Sequence, residues 1–152
     1  MATITTIDGL AQLSFLIYGT LERRAAEHDL SMVQTRVLGV LRDRRPTMNQ
    51  LAAYLGLDKS SVTGLIDRAE RRGLVARAPS PADRRSVLVS LTEPGRALAA
   101  RVQAAFEADV TEMLARLTPP EQAALSAVVT HFVTAHAEAT GVDLAAGLLP
   151  SS

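Results

Sequence analysis

Two short segments with helical periodicity, joined by a tight turn, constrain the fold more than any other feature of this sequence. Thr47-Met48-Asn49-Gln50 fits a capping box, because the threonine hydroxyl can accept from the third backbone N–H while the glutamine reaches back. Gly56 ends the helix that this box opens, and Asp58 caps a second helix that stops at Gly73. Two helices joined across Gly56 and Leu57 are a candidate helix-turn-helix motif.

A β-hairpin is predicted directly after the second helix. Leu74–Arg77 fits a first strand, residues 79–84 a turn, and Val87–Leu91 a second strand in which apolar and polar residues alternate cleanly. A hairpin that follows the second helix of a helix-turn-helix motif is a wing. The pattern therefore predicts a winged helix.

Arg84 and Arg85 lie at the predicted tip of this wing. Helix-turn-helix motifs that bind DNA place their second helix in the major groove. Arginine inserts well into narrow minor grooves, so both side chains can reach the minor groove beside that helix. Asp83 would not bind DNA. It precedes Arg85 by two positions, and we expect its carboxylate to pair with the Arg85 guanidinium and fix the loop.

Longer helical segments flank this motif. The first carries apolar residues at three- and four-residue steps up to about His28, and Ser31 is the expected N-cap of a helix that stops before Pro46. Thr92 is expected to cap a long helix, and Thr118–Glu121 fits a capping box for the last one. The apolar stripe of the first helix consists of Ile7, Leu10, Leu13, Ile17 and Leu21.

These elements predict a mainly α chain with a small β-hairpin wing. We expect residues 30–92 to form a winged helix-turn-helix lobe and residues 1–29 and 93–140 to form a helical lobe, both within one domain. Residues 141–152 show no clear periodicity and are expected to be a tail.

The 152 residues have no net charge, but the charges are unevenly distributed. From Arg36 to Arg101 there are 13 basic and 6 acidic residues, a balance of +7, whereas the remainder has 3 basic and 10 acidic residues, a balance of −7. Clustered positive charge attracts polyanions whatever the total charge. A solvated face with ordinary helix charges is the alternative, and the uneven partition favours a polyanion.

The helix that Asp58 opens presents mostly short, hydrogen-bonding residues away from its apolar positions. An α-helix fits the major groove of B-DNA, and its N-terminal residues reach the base edges. Gly64, on the same face, allows closer approach but reads no base itself. The residues predicted to contact bases are Lys59, Ser60, Ser61, Thr63 and Arg68, and those predicted to contact phosphates are Arg71, Arg72 and Arg77. The position of Arg68 is suited to a phosphate as well.

Three stretches resemble the multiple-antibiotic-resistance regulator (MarR) family of bacterial winged-helix transcription factors. They are Leu30–Leu41, Met48–Val75 and Asp83–Gly95, and the helical flanks match in order and length, so the resemblance covers nearly the whole chain. The most specific local signature of the family is a wing Asp-x-Arg followed by Leu-Thr-x-x-Gly. It is present here as Asp83, Arg85, Leu91, Thr92 and Gly95.

The resemblance implies a homodimer that binds double-stranded DNA. In the family, the N-terminal helix and the last two helices interlock into a dimerisation lobe, and each subunit presents one winged helix. The apolar stripes of the terminal helices agree with this, since they have little other core to cover. Two-fold symmetry then predicts a pseudo-palindromic operator with half-sites about one helical turn (~10 bp) apart.

The resemblance also implies a small effector, often phenolic or anionic, bound in a cleft between the two lobes. By position alone, the candidate cleft residues are Phe15, Tyr18, His28 and Arg36, although residues of these types, taken singly, more often have an ordinary core or surface role. The chain has no cysteine, which excludes the cysteine-based peroxide sensing of one branch of the family. We expect no cofactor.

Two other classes of function compete with a dimeric repressor. A winged helix used only to bind protein should expose more apolar or aromatic residues on its second helix. An enzyme is disfavoured because His28, His131 and His136 are scattered and no nucleophile or paired-acid motif occurs; the same three histidines offer few ligands for a metal-dependent regulator. No signal-peptide pattern and no run of ~18 apolar residues is present, so we expect a cytoplasmic protein without a membrane partner.

Overall fold

The computed structural model describes residues 3–142, which form six α-helices and a two-stranded antiparallel sheet. In chain order the elements are α1 (Thr6–Ala26), α2 (Met32–Asp43), α3 (Met48–Leu55), α4 (Lys59–Arg71), β1 (Val75–Pro79), β2 (Val87–Leu91), α5 (Glu93–Leu114) and α6 (Pro119–Thr140). The predicted fold class, mainly α with a small hairpin wing, is confirmed. Most of the predicted tail, from residue 143 onward, lies outside the described residues. Among residues 3–142, none of the helices has the length and apolar character to span a membrane.

Side-chain caps explain where the helices begin. Thr47 forms the predicted capping box with Gln50: its hydroxyl accepts from the Gln50 N–H at 3.2 Å, and the Gln50 amide oxygen accepts from the Thr47 N–H at 2.9 Å. Ser31 caps α2 as predicted. At the start of α6, the Glu121 carboxylate accepts from both the N–H and the hydroxyl of Thr118 at 2.7 Å, which lowers the pKa of Glu121.

Three predicted boundaries shift: the end of α1, the start of β1 and the end of β1, which extends to Pro79 rather than Arg77. α1 ends at Ala26 rather than near His28, and the turn that follows places Asp29 in the left-handed region at a φ of 56°. β1 begins at Val75, one residue later than predicted, because the Leu74 N–H bonds back to a carbonyl of α4 at 2.9 Å and closes the turn.

The core lies mainly where α2, α3 and α4 meet the hairpin. Its largest fully buried side chains are Leu41, Leu51, Ile66, Val40, Val62 and Val89. β1 pairs with β2 along its whole length. Thr47 forms a β-bridge with Leu88, and the Pro46 carbonyl accepts from the Val89 N–H at 2.9 Å. The loop before α3 therefore pairs briefly with β2. The hairpin is thus fixed against the helix-turn-helix motif.

A bidentate ion pair joins α1 to α5. The Arg24 guanidinium donates to the Asp109 carboxylate from Nε at 2.7 Å and from Nη2 at 2.6 Å. The hydrogen bond to Asp109 raises the pKa of Arg24 and, in return, holds the pKa of Asp109 below its ordinary value. Such fork-to-carboxylate pairs fix orientation as well as distance. The pair therefore sets how the N-terminal helix lies on the long helix after the wing.

The terminal helices expose much of their apolar surface in the single chain. α6 contributes no buried residue at all. The exposed large apolar side chains on α1 and α6 are Ile7, Leu10, Leu13, Phe15, Leu16, Tyr18, Val128, Val129 and Phe132. Exposed apolar surface that is contiguous along helices marks an interaction site rather than an ordinary solvated face.

The start of α5 is built around a close backbone contact at Gly95. The Thr92 hydroxyl donates to the Gly73 carbonyl and accepts from the Gly95 N–H at 3.1 Å, which ties the turn after α4 to the first turn of α5. A Cβ atom at Gly95 would lie 1.9 Å from the backbone oxygen of Leu74. Glycine is therefore required at this position by backbone-to-backbone packing.

We expect Gly95→Ala to destabilise the fold by about 1–3 kcal/mol, because the added methyl group must displace backbone rather than a flexible side chain. Thermal unfolding followed by circular dichroism measures the effect. Gly19→Ala is the matched control: Gly19 lies inside α1 with open space around its Cβ, so the substitution should be neutral or stabilising. Equal behaviour of the two variants would contradict the steric requirement at Gly95.

Candidate nucleic-acid interface

α4 is held with one face in the core and the other outside. The turn that precedes it begins at Gly56, which adopts the left-handed conformation at a φ of 64°. Four side chains of α4 are buried: Val62, Leu65, Ile66 and Ala69. All five residues predicted to contact bases lie on other faces of the helix, and of these only Thr63 is partly covered.

The N-terminus of α4 is organised by Asp58. Its carboxylate accepts from the Ser60 hydroxyl at 2.6 Å, the Ser61 N–H at 2.8 Å and the Ser61 hydroxyl at 2.8 Å. These hydrogen bonds, led by the one from Ser60, hold the pKa of Asp58 far below its ordinary value. Because both hydroxyl protons point at Asp58, Ser60 and Ser61 present lone pairs outward in this state.

The remaining outward groups of α4 complement these acceptors. The Thr63 hydroxyl donates to the Lys59 carbonyl at 2.8 Å, so it too presents acceptor lone pairs. Within residues 3–142, the side chains of Lys59 and Arg68 make no hydrogen bond or ion pair, and both are exposed. The outer face of α4 therefore offers two cationic donors among three hydroxyl acceptors, which is a chemistry suited to the edges of bases.

Arg77 is held against α4 by two carboxylates. Its guanidinium donates to Asp67 at 2.7 Å and to Glu70 at 2.7 Å, both on α4. The Asp67 hydrogen bond is the main reason why the pKa of Arg77 is raised. In this structure Arg77 joins the first wing strand to α4, and its charge is already compensated, in contrast to the free phosphate-binding group that the sequence indicates. The spacing of Asp67 and Glu70 on one helical face was the available signal for this contact.

Of the other two residues predicted to contact phosphates, one is hydrogen-bonded to backbone carbonyls and the other is largely free. The Arg72 guanidinium donates to the His28 carbonyl at 2.9 Å and to the Asp29 carbonyl at 3.0 Å, so it braces the end of α4 against the turn after α1. Arg71 is exposed and makes a single weak contact, from Nε to the Asp67 carbonyl at 3.3 Å. Arg71 is therefore the more available of the two.

The wing loop is fixed by Asp83, but through the backbone. Its carboxylate accepts from the Arg85 N–H at 3.0 Å and from the Ser86 hydroxyl at 3.1 Å. The prediction that Asp83 pairs with the Arg85 guanidinium is wrong for this structure, because the short aspartate side chain reaches the nearby backbone first in a turn. Within residues 3–142, the side chains of Arg84 and Arg85 are exposed and have no partner.

The four residues predicted to line an effector cleft are not brought together. Phe15 and Tyr18 are exposed on α1, His28 lies in the turn after α1, and the Arg36 guanidinium donates to the Tyr54 carbonyl at 3.4 Å. A small pocket, partly open to solvent, lies instead between α1, α2 and α5. Its lining residues are Leu21, Leu30, Thr35, Leu38, Gly39, Arg42, Ala99, Val102, Gln103 and Phe106.

Comparison with known proteins decides the family. A model of the MarR family matches residues 28–86. The homoprotocatechuate degradative operon repressor of Escherichia coli is 32% identical over 108 residues, which cover 70% of this chain and 72% of that protein. The chain belongs to the MarR family. The predicted resemblance is confirmed, and so is the prediction that the chain is not an enzyme, since the relatives of this MarR-family chain are named transcriptional regulators.

Two further comparisons show how much of this chain and of its relatives is matched. The crystal structure of the MarR C80S mutant from E. coli has a TM-score of 0.74 at 26% identity, covering 88% of this chain and 99% of that one. The transcriptional repressor NicR of Pseudomonas putida is 36% identical over 78 residues, or 51% of this chain and 49% of NicR. The matched part of this chain therefore spans about half the length of NicR.

The lowered pKa of Asp58 makes the stability of α4 depend on pH. The carboxyl of Asp58 has the ordinary pKa of 3.8 in the unfolded chain and a lower pKa in the folded one. The ionised carboxylate therefore stabilises the fold fully above about pH 5, and this stabilisation is lost as the pH falls toward the folded pKa. We expect Asp58→Ala to lower the thermal midpoint at pH 7. The difference in midpoint between the variant and the parent protein should become smaller between about pH 5 and pH 2.

Asp58→Asn is the control for this comparison, since it keeps one capping oxygen without the charge and should fall between the parent and Asp58→Ala at pH 7. Circular dichroism melts at each pH give the measurement. A difference in midpoint that stays constant across this pH range would contradict stabilisation of the fold by the ionised Asp58 carboxylate.

Proposed function

We propose that this protein is a homodimeric, sequence-specific DNA-binding regulator of transcription that acts as a repressor. The observation that carries the proposal is the set of exposed cations on α4 and the wing that have no partner within residues 3–142: Lys59, Arg68, Arg84 and Arg85. The ion pairs of Arg77 hold β1 against α4, so helix and wing act as one unit. α4 would enter the major groove and the wing the adjacent minor groove.

The exposed apolar faces of α1 and α6 support dimerisation. Isologous packing of two such faces would remove this surface from water and present two copies of α4 related by a two-fold axis. The operator would then be an inverted repeat with half-sites about one helical turn apart. A sedimentation mass equal to one chain at micromolar concentration would contradict the dimer.

The runner-up is a winged helix that binds only protein. Such a surface needs exposed apolar or aromatic anchors. In the part of the chain that the structure describes, the large exposed apolar side chains lie mostly on α1 and α6, and α4 contributes none. The repressor role is supported by relatives named as repressors, NicR and the homoprotocatechuate operon repressor, whereas BadR of Rhodopseudomonas palustris is named as an activatory protein.

The pocket between α1, α2 and α5 is the proposed effector site. Its walls are mostly apolar, and Arg42 and Gln103 supply polar groups, joined by a 2.5 Å hydrogen bond. Arg42 also donates to the Asp43 carboxylate from Nε at 3.0 Å and from Nη2 at 2.9 Å, so this lining suits a weak aromatic acid, a phenol whose oxygen would replace the Gln103 oxygen at Arg42. Because the pocket touches α1 and α5 as well as α2, a ligand there would favour one spacing of the two lobes over another. Failure of such acids to change DNA affinity would count against this site.

The experiment that tests the proposed function is selection of bound duplexes from a random DNA pool at near-physiological salt. We expect enrichment of an inverted repeat with half-sites about 10 bp apart. A reporter whose promoter contains that sequence should be expressed less when the protein is present, and increased expression would indicate an activator. No enrichment by a folded dimer would leave the protein-binding alternative.

Two arginine substitutions separate the roles of wing and helix. Arg85→Ala should weaken operator binding, because it removes a free wing cation without touching the Asp83 turn, which uses the backbone. Arg71→Ala should weaken binding to all sequences alike and flatten the salt dependence of log K by about one unit if it contacts one phosphate.

Fluorescence anisotropy at four or more salt concentrations gives both affinity and slope for these variants. Arg116→Ala is a matched control, since Arg116 is exposed in the turn after α5, at the end of that helix opposite the wing. Unchanged operator affinity for Arg85→Ala, with fold and mass intact, would remove the wing from the interface.

A further inference from the structure

Gly64 lies inside α4, where glycine is an unfavourable residue. Glycine is among the poorest helix formers because its backbone loses the most freedom on ordering. Packing gives no reason for it: a Cβ at Gly64 would meet no core side chain and no backbone within 4 Å. The backbone gives none either, since Gly64 is not among the glycines with positive φ. Its presence in the middle of the DNA-facing helix therefore needs another explanation.

The only neighbour of that Cβ position is the Arg68 guanidinium. Its Nη1 atom lies 3.4 Å from where the Cβ would be. Side chains on an α-helix lean toward the N-terminus, so the residue four positions later covers this point of the surface. Arg68 thus folds back over Gly64, toward the end of α4 that carries Lys59 and the serines. Unlike Arg72 and Arg77, it has no partner within residues 3–142.

We propose that Gly64 is a positioning residue for specificity: its missing side chain leaves the surface on which the Arg68 guanidinium rests, so that Arg68 reads a guanine in each half-site. This inference rests on the proposed function. Arginine recognises guanine by donating from two nitrogens to O6 and N7, which requires the planar guanidinium at a defined height above the helix. A side chain larger than a methyl group at position 64 would take that place and move the guanidinium outward.

The substitutions Gly64→Ala and Gly64→Leu test how the size of the side chain at position 64 affects the placement of Arg68. Alanine would sit at an ordinary contact distance from Arg68, whereas leucine would occupy the place of the guanidinium. Both are better helix formers than glycine, so both variants should melt at a higher temperature. We expect Gly64→Leu to bind the selected operator roughly tenfold or more weakly and to lose the preference for guanine at one position of each half-site, with a smaller loss for Gly64→Ala.

A double-mutant cycle with Arg68→Ala tests whether Gly64 acts through Arg68. In the Arg68→Ala background, Gly64→Leu should cause little further loss, because the group that it displaces is absent. A loss of the same size in both backgrounds would overturn the inference and indicate that leucine meets the DNA directly. Retention of the guanine preference by Gly64→Leu would overturn it as well.

The parent protein separates this inference from the proposed function. If the parent enriches an inverted repeat but the cycle shows no coupling, the inference fails and the DNA-binding function stands. If the folded parent enriches no sequence, the proposed function fails first. Melting temperatures of all four proteins show whether a loss of binding comes from misfolding, and a variant that melts below the parent would contradict the expected gain in helix stability.

Discussion

Burial of one face of α4 is the constraint on which the interface depends. Val62 and Ile66 are fully buried, and a rotation of the helix about its axis would expose them while bringing Lys59 or Arg68 toward the core. Burying an unpaired cation is far more costly than exposing a methyl group. The apolar positions of α4 therefore determine, by exclusion, which side chains face outward. The chemistry of the outward face follows from the packing of the inward one.

The arginines of the basic middle region divide according to the acceptors within reach. Arg77 and Arg72 have carboxylate or carbonyl partners supplied by the fold, whereas Arg84 and Arg85 project from a turn that offers none to their side chains. A phosphate could recruit Arg77 only by breaking its pairs with Asp67 and Glu70. The charge balance of +7 thus overstates the charge available to a polyanion.

Local features of the fold were predictable from the sequence, and contacts between distant elements were not. The caps at Thr47 and Asp58 depend on residues three positions apart, so spacing alone predicts them. The spacing of Asp67 and Glu70 marks two acceptors on one face of α4, but it does not show that β1 turns back along that helix and brings Arg77 to them. The position of the pocket could not be predicted for the same reason: it is formed by α1, α2 and α5 together, and its polar pair, Arg42 and Gln103, is separated by 61 positions.

The terminal helices link association to DNA recognition in the proposed dimer. A helix gains most of its stability by packing an apolar face, and α6 buries none of its side chains in the single chain. In the proposed dimer its partner would be the second copy, and the packing of the four terminal helices would set the distance between the two copies of α4. The Arg24–Asp109 pair joins α1 to α5, which begins at the end of the wing, so it would couple that distance to the wing. A change in helix packing far from the DNA would therefore alter affinity without touching a base or a phosphate.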